Sequence, residues 1–215
     1  GMRRRGYTAD AVRNFCDSLA VSKTDGVVDM AQFEFFIRED LNDNAARAMC
    51  VLNPLKLVIT NFPEGEVETL SAQVHPQKEM GTRELPFTRE LYIDRNDYNE
   101  DSTLSRKKFK KLVPGDFMRL RGAYVIKATD LVKDATGEIT EVHAELIPGT
   151  VGENPPEGMK PRGVMHWVSA TEGQQAVVRV YDRLFNVESP DKGEGSFLDN
   201  INPESFSQIE NCWIE

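Results

Sequence analysis

A strongly basic segment, residues 105–127, interrupts a chain that is acidic elsewhere. It holds eight lysines and arginines against one acid, Asp116, whereas the 215-residue chain as a whole carries a net charge of −9. Lysine and arginine along one edge neutralise phosphates, and an acidic remainder would repel a polyanion elsewhere and so orient it. We call residues 105–127 the basic strip; its basic residues are Arg106, Lys107, Lys108, Lys110, Lys111, Arg119, Arg121 and Lys127.

Three interpretations of the basic strip compete. A solvated charged face explains so strong an imbalance poorly. A membrane-surface helix is disfavoured because Pro114 would break it. Nucleic acid fits better, since a strand through "RLR" would place Arg119 and Arg121 on one face, and Phe109 and Tyr124 offer rings on which bases could stack. Composition alone therefore predicts an anionic polymer as ligand without identifying it.

The cysteines and histidines give no sign of a metal or catalytic centre. The three cysteines have no CxxC spacing and the three histidines lie apart from them, which disfavours a zinc site, a disulfide framework and a catalytic triad. We therefore expect no metal, no catalytic residue and a reducing cytoplasm. No run approaches the roughly 20 apolar residues of a membrane-spanning helix, so no membrane partner is expected.

The first fifty residues show a helical pattern, and the rest of the chain shows a β pattern. Thr8 and Asp29 are placed to cap two helices, whose apolar stripes are Val12, Phe15, Cys16 and Leu19, and Phe33, Phe36, Ile37 and Leu41. Beyond residue 50, short apolar runs separated by turns predict antiparallel barrels or sandwiches, with a hairpin turn at Gly137. The predicted strand segments are 55–60, 90–95, 116–129, 139–146, 163–170 and 176–185.

The chain contains nine motifs in the order "MRRRGYT", "IREDLNDNAARAM", "PLKLVI", "EMGTRELPF", "YIDR", "RLRGAYVIKA", "GVMHWVSA", "YDRLF" and "INPES". They span Met2 to about Ser205, and together they resemble those of the glutaminyl-tRNA synthetases. The glutamyl-tRNA synthetases of the archaeal and eukaryotic type share the architecture, but "MRRRGYT" and "GAYVIKA" are more similar to the glutaminyl branch.

The resemblance implies a mainly β fold with an N-terminal α-helical subdomain and antiparallel β-barrels of the class I Gln/Glu-tRNA synthetase anticodon-binding type. Residues 1–49 would be the helical subdomain that ends the catalytic half, 50–172 the first barrel and 173–215 an incomplete second barrel. No HIGH-type or KMSKS-type motif occurs, so this chain is expected to bind RNA and not to catalyse. The full-length parent would attach glutamine to tRNA(Gln) with ATP and Mg²⁺, and this part would need no cofactor.

The resemblance also implies which residues meet the tRNA(Gln) anticodon loop. Arg47 matches the arginine that reads the middle base, a uracil, and Asn42 matches an asparagine of the same region. Gln77 aligns with an asparagine that lies against the loop. Basic residues around the outer anticodon bases and their phosphates are matched by Lys108, Lys110, Lys111, Arg119 and Arg121, and candidate contacts to the tRNA backbone are Arg3, Arg4 and Arg5.

Departures from the family pattern affect the third anticodon base. Many bacterial members have glutamine, tyrosine and arginine where this chain has Lys108, Phe109 and Lys111. Lysine is a point charge that cannot pair bidentately with a guanine edge, so Lys111 would attract phosphate, and Arg119 or Arg121 would share the reading.

The sequence leaves three alternatives open. The chain could be the anticodon-binding part of a glutamyl-tRNA synthetase, or a ribosomal-RNA-binding β-barrel, although the long helical start argues against the latter. From another class, it could be a protein-interaction module whose basic strip meets an acidic partner. The preferred partners are the tRNA(Gln) anticodon loop and the rest of a synthetase chain in cis.

Overall fold

The computed structural model describes residues 1–19, 21, 23, 26–101, 103, 110–192 and 195–215. Two α-helices, α1 (Ala9–Ser18) and α2 (Met30–Asn44), stand near the start of the chain. As predicted, Thr8 caps α1 by accepting from the Ala11 N–H at 3.2 Å, and Asp29 caps α2 by accepting from the Ala31 N–H at 2.9 Å. Short 3₁₀ helices cover Met2–Arg5, Arg95–Asp97 and Phe197–Asn200.

Strands make up most of the remaining regular structure, so the chain is mainly β with few helices, as expected. In chain order they are β1 (Cys50–Val51), β2 (Pro54–Ile59), β3 (Val67–Gln73), β4 (Thr82–Thr88), β5 (Glu90–Asp94), β6 (Phe117–Leu120), β7 (Val125–Lys133), β8 (Ile139–Ile147), β9 (Val164–Met165), β10 (Val168–Ser169), β11 (Gln174–Tyr181) and β12 (Phe206–Ile214). No helix among these described residues is long and apolar enough to cross a membrane.

The chain folds into two compact units. The first contains residues 1–47, 74–81 and 183–205, and the second contains residues 48–73, 82–182 and 206–215. This grouping follows spatial contact, so the division of the chain at residues 49 and 172 stays a prediction.

The first unit is built on the two capped helices, which bury Ala11, Phe33 and Ile37 between them. Cys16 was expected on the apolar face of α1 but is exposed. The reason is helical geometry: Cys16 follows the buried Ala11 by five residues, which rotates it about 140° away around the helix.

The second unit centres on a seven-stranded sheet that curls into half of a barrel. Its strand order is β10-β5-β2-β8-β7-β6-β9. β2 alternates buried and half-buried positions, with Leu55, Leu57 and Ile59 pointing into the core. A three-stranded sheet, β1-β12-β11, and the hairpin β3–β4 complete the strand pairings of the described residues.

Two pairings in the large sheet depart from the antiparallel expectation. β2 pairs with β8 and β6 pairs with β9 in parallel. In both cases other strands lie between the partners in the sequence, so no tight hairpin imposes the antiparallel direction. Where a tight turn does join neighbours, as at the predicted Gly137 turn with its φ of 90°, the pair β7–β8 is antiparallel.

Candidate nucleic-acid interface

The tip of the β3–β4 hairpin, residues 74–81, packs against the C-terminal end of α2 in the first unit. The Val74 N–H donates to the Gly81 carbonyl at 3.0 Å and closes the tip. The Arg47 N–H then donates to the Val74 carbonyl at 3.0 Å, and Lys78 Nζ donates to Asn44 Oδ1 at 3.1 Å. These bonds join two segments that lie about thirty residues apart in the sequence.

A buried histidine, His75, lies at the centre of this junction and is only 2% exposed. Its Nδ1 accepts from the backbone N–H groups of Gln77 at 3.1 Å and Lys78 at 3.0 Å. A nitrogen that accepts two N–H groups carries no proton, so Nε2 is the donor, and it bonds the Asn42 carbonyl at 2.8 Å. The same carbonyl accepts from Arg47 Nη2 at 2.9 Å.

Three residues predicted to contact RNA therefore meet around one histidine. Asn42, Arg47 and Gln77 are all exposed, and their side chains have no partner among the described residues beyond the single Arg47 bond to the Asn42 carbonyl. Two amides and a planar guanidinium, held by their backbones, can hydrogen-bond the pairing edges of unstacked bases. We call Asn42, Arg47, His75 and Gln77 the hairpin-tip cluster.

His75 is the residue of this cluster that the sequence did not reveal. It stands in a polar stretch between two strands that were themselves not predicted, and its partner Asn42 lies 33 positions away. Nothing in the local sequence distinguishes it from a surface histidine.

In the second unit, the described part of the basic strip begins at Lys110. Lys108, together with Arg106, Lys107 and Phe109, lies outside the described residues. Lys110 is exposed and Lys111 is half-buried, and the charge of Lys111 opposes the rise that burial and Asp94 cause in the pKa of Asp97. Both lysines stand just before Pro114, at the approach to β6.

The Arg119 guanidinium is hydrogen-bonded within the protein. Its Nη1 donates to the Thr150 carbonyl at 2.7 Å and its Nη2 donates to the Glu153 carbonyl at 2.6 Å. The side chain is half-buried and secures the loop that follows β8. Any contact of Arg119 with RNA would have to use what these two bonds leave of its guanidinium.

Arg119 and Arg121 were expected on one face of a strand. They do not share a strand, because β6 ends at Leu120. The predicted single strand over residues 116–129 is a hairpin, and its turn contains Gly122 at φ 70°. The positive φ favours glycine there, and a Cβ on Gly122 would also lie 3.1 Å from Leu85 Cδ1, a close contact. Arg121 is exposed at this turn, and its guanidinium has no partner in the described part of the chain.

Tyr124, predicted to offer a ring on which bases could stack, is half-buried in the structure. Its ring packs at 5.2 Å from the ring of Phe87, and its hydroxyl donates to Glu68 at 2.8 Å. Burial and the Glu68 carboxylate raise the pKa of Tyr124 to about 12. A ring held between the core and a carboxylate serves the fold.

The arginine triplet near the start of the chain lies in the short 3₁₀ helix Met2–Arg5 of the first unit. Arg3, Arg4 and Arg5 are all exposed, and the Arg5 guanidinium lies 5.1 Å from the centre of the Tyr7 ring. The helix places three cations within one short turn, an arrangement suited to phosphate attraction.

Two family models match the chain, and both carry the description "tRNA synthetases class I (E and Q), anti-codon binding domain". They match residues 45–147 and 164–215, which include the whole basic strip and all of the hairpin-tip cluster except Asn42.

Curated relatives match over the whole of this chain. Glutamine–tRNA ligase of Pseudomonas syringae pv. tomato is 52% identical, that of Stutzerimonas stutzeri 54% and that of Azotobacter vinelandii 51%. Each match uses 100% of this chain but only 37% or 38% of the relative. The chain therefore spans a little over a third of the length of the curated relatives it matches.

Proposed function

Because the chain belongs to the class I glutamyl- and glutaminyl-tRNA synthetase anticodon-binding family, we propose that it recognises the anticodon loop of tRNA(Gln). In this proposal Arg47 reads the middle base, and Asn42 and Gln77 contact the loop beside it. Glutamine is preferred to glutamate as the parent's amino acid because the relatives named above are glutamine–tRNA ligases.

The observation that carries the proposal is the hairpin-tip cluster. Asn42, Arg47 and Gln77 were matched to anticodon contacts one by one, from separate stretches of sequence. They lie around one buried ring with their side chains exposed. Because hydrogen bonds already fix the backbone at Arg47 and Gln77, little backbone conformational entropy is lost when their side chains bind a splayed base.

The basic strip would supply electrostatic attraction to the RNA and would not recognise its bases. Lys110 and Arg121 are exposed cations, and Lys111 is half-buried near Asp97. Cations on flexible side chains draw phosphates without reading sequence. We assign Lys110, Lys111 and Arg121 to the loop phosphates, and Arg119 to a secondary position because it already holds two carbonyls. Lys108 remains assigned to the same phosphates from the family resemblance alone.

The proposal extends to the longer protein. The parent would attach glutamine to tRNA(Gln) with ATP and Mg²⁺ in the cytoplasm, and this part would bind no cofactor of its own. The half-barrel sheet and the sheet of β1, β11 and β12 would belong to two antiparallel β-barrels, preceded by a helical subdomain. The rest of the synthetase would be the partner in cis.

The deciding experiment compares two RNAs of equal charge. Filter binding of the chain is measured with the tRNA(Gln) anticodon stem-loop and with a copy whose middle base is changed, at two salt concentrations. A preference for the unchanged loop that persists at the higher salt supports the proposal. Equal binding of both loops, or equal competition by a generic polyanion, would instead indicate an unspecific polyanion-binding or protein-interaction surface.

Salt dependence gives a prediction of its own. If about five phosphates are neutralised, log K should fall with log salt at a slope of roughly −3 to −4 for a single-stranded loop. The slope is obtained by repeating the filter binding between about 50 and 200 mM salt. A flat response would contradict phosphate contact by the basic strip.

A pH prediction follows from His166, which lies near Arg121. Partial loss of hydration, and then the charge of Arg121, lower the pKa of His166 below its ordinary value of 6.5. RNA phosphate at Arg121 would favour the charged imidazolium, so the pKa should rise on binding. RNA binding would then be accompanied by proton uptake at His166. The affinity for RNA should therefore increase as the pH falls through the interval between the pKa of His166 in the complex and its lower pKa in the free chain.

This prediction is checked by NMR titration of His166 with and without the stem-loop. His143 on β8, whose nearest charged partner is Glu141 at 3.5 Å, serves as the internal reference. An unchanged His166 pKa in the bound state would place the RNA away from Arg121.

A further inference from the structure

His75 is too buried to touch RNA, yet it connects all the residues of the hairpin-tip cluster. We propose that His75 is the positioning residue for base discrimination: its ring fixes Arg47 and Gln77 in one geometry by bonding the Asn42 carbonyl on one side and the tip backbone on the other. The inference rests on the proposed anticodon recognition and names a residue that determines its specificity.

The His75 ring acts as a rigid spacer with one acceptor and one donor. Nδ1 receives the N–H groups of Gln77 and Lys78 at 3.1 and 3.0 Å, and Nε2 gives its proton to the Asn42 carbonyl at 2.8 Å. Both nitrogens of the neutral imidazole are therefore used, and the hydrogen bonds fix its tautomer. An amide side chain cannot place a donor and an acceptor at these two separated positions.

The Asn42 carbonyl belongs to the last turn of α2. The last four carbonyls of a helix have no partner within it, so this one is open to outside donors. It accepts from His75 Nε2 and from Arg47 Nη2, at 2.8 and 2.9 Å. One oxygen thus anchors both the buried ring and the guanidinium that is proposed to read the middle base.

Arg47 is held from two directions. Its backbone N–H bonds the Val74 carbonyl of the tip at 3.0 Å, while its guanidinium bonds the helix end. The direction of the guanidinium therefore depends on the distance between tip and helix end, which the His75 ring sets. Without the Nε2 bond, the bond between the exposed side chains of Lys78 and Asn44 would be left to hold the two anchors of Arg47 together.

Two amide replacements separate the two sides of the ring. His75→Asn places an oxygen near the Nδ1 position and keeps an acceptor for the tip, but it loses the donor to Asn42. His75→Gln places an N–H near the Nε2 position and keeps that donor. The ratio of affinities for the unchanged and the middle-base-changed stem-loop should fall about tenfold in His75→Asn and less than about threefold in His75→Gln.

A double substitution tests whether His75 acts through Arg47. If it does, His75→Asn combined with Arg47→Ala should show the same affinity ratio as Arg47→Ala alone. A merely structural role would weaken both stem-loops equally and leave the ratio of His75→Asn at the wild-type value, which would overturn the inference. The matched control is His143→Asn on β8, which should leave the ratio unchanged.

A measurement on the wild-type chain does not depend on any variant folding. ¹⁵N NMR of the imidazole should show His75 neutral and protonated at Nε2; protonation at Nδ1 would overturn the inference directly. The wild-type affinity ratio distinguishes the proposed function from the role of His75. Equal binding of both loops by wild type overturns the proposed function as well, whereas a wild-type preference that His75→Asn retains overturns only the role of His75.

Discussion

Replacing Arg47 with alanine is expected to lower discrimination at the middle anticodon base by about tenfold or more, with a much smaller decrease in affinity for unrelated RNA. The reason is that a mismatch at one base position typically costs about 1–3 kcal/mol, while phosphate attraction is spread over many cations. The Arg47 guanidinium has one bond to the Asn42 carbonyl and is otherwise exposed, so its free edge is available for a base. Filter binding with the paired stem-loops measures the effect.

Two control variants distinguish base recognition by Arg47 from the effect of its charge. Arg38→Ala removes the same charge from an exposed position on α2 and should leave the preference for the middle base intact. Arg47→Lys retains the charge but loses the planar fork, so it should behave like Arg47→Ala in discrimination and like wild type in salt dependence. An equal decrease in affinity for both stem-loops in Arg47→Ala would mean that Arg47 contacts only phosphate.

The local parts of this fold could be predicted from sequence because local chemistry determines them. The caps at Thr8 and Asp29 are hydrogen bonds over two or three residues, and the turn at Gly137 needs one residue at positive φ. β3 and β4 were not predicted, since their sequences "VETLSAQ" and "TRELPFT" mix charged and apolar residues, and the second contains Pro86. In the folded chain the two strands pair antiparallel along their whole lengths, from Val67–Thr88 to Gln73–Thr82.

The same distinction applies to the candidate site. The resemblance pointed to Asn42, Arg47 and Gln77 singly, but only the folded hairpin shows that His75 joins them. Tyr124 has the sequence context of a stacking residue, yet Glu68, 56 positions earlier, accepts from its hydroxyl. Partners at such separations are chosen by the packing of the sheet, and no pattern in a window of ten or twenty residues reports them.

Arg119 and Arg121 stand two residues apart in one basic motif, and replacing each with alanine is expected to have opposite consequences. Arg119→Ala should destabilise the fold by about 1–3 kcal/mol, because the substitution removes a cationic donor to two carbonyls of the loop after β8. Arg121→Ala should leave stability within about 0.5 kcal/mol of wild type, since its side chain is exposed without a partner among the described residues. Urea unfolding of the two variants measures both.

The effects of the two variants on RNA affinity should be the reverse of their effects on stability. Arg121→Ala should weaken both stem-loops alike and reduce the salt slope by about one, as expected when one phosphate is no longer neutralised. Arg119→Ala, measured well below its unfolding transition, should retain most of its affinity and a slope close to wild type. Each variant is the control for the other, because both lose one arginine from the same strip.

The opposite result would be equally informative about the basic strip. If Arg119→Ala removed the preference between stem-loops while keeping wild-type stability, its two loop carbonyls would be weak partners that RNA displaces, and Arg119 would be a reader. The structure argues against this, because Thr150, whose carbonyl accepts from Arg119, is itself tied into the sheet. Its Oγ1 accepts from the Val125 N–H at 2.9 Å and donates to the Ile147 carbonyl at 2.6 Å. An arginine bonded to so well-anchored a loop is expected to stay there when RNA binds, which leaves Arg121 as the arginine of the motif that we propose contacts the phosphates.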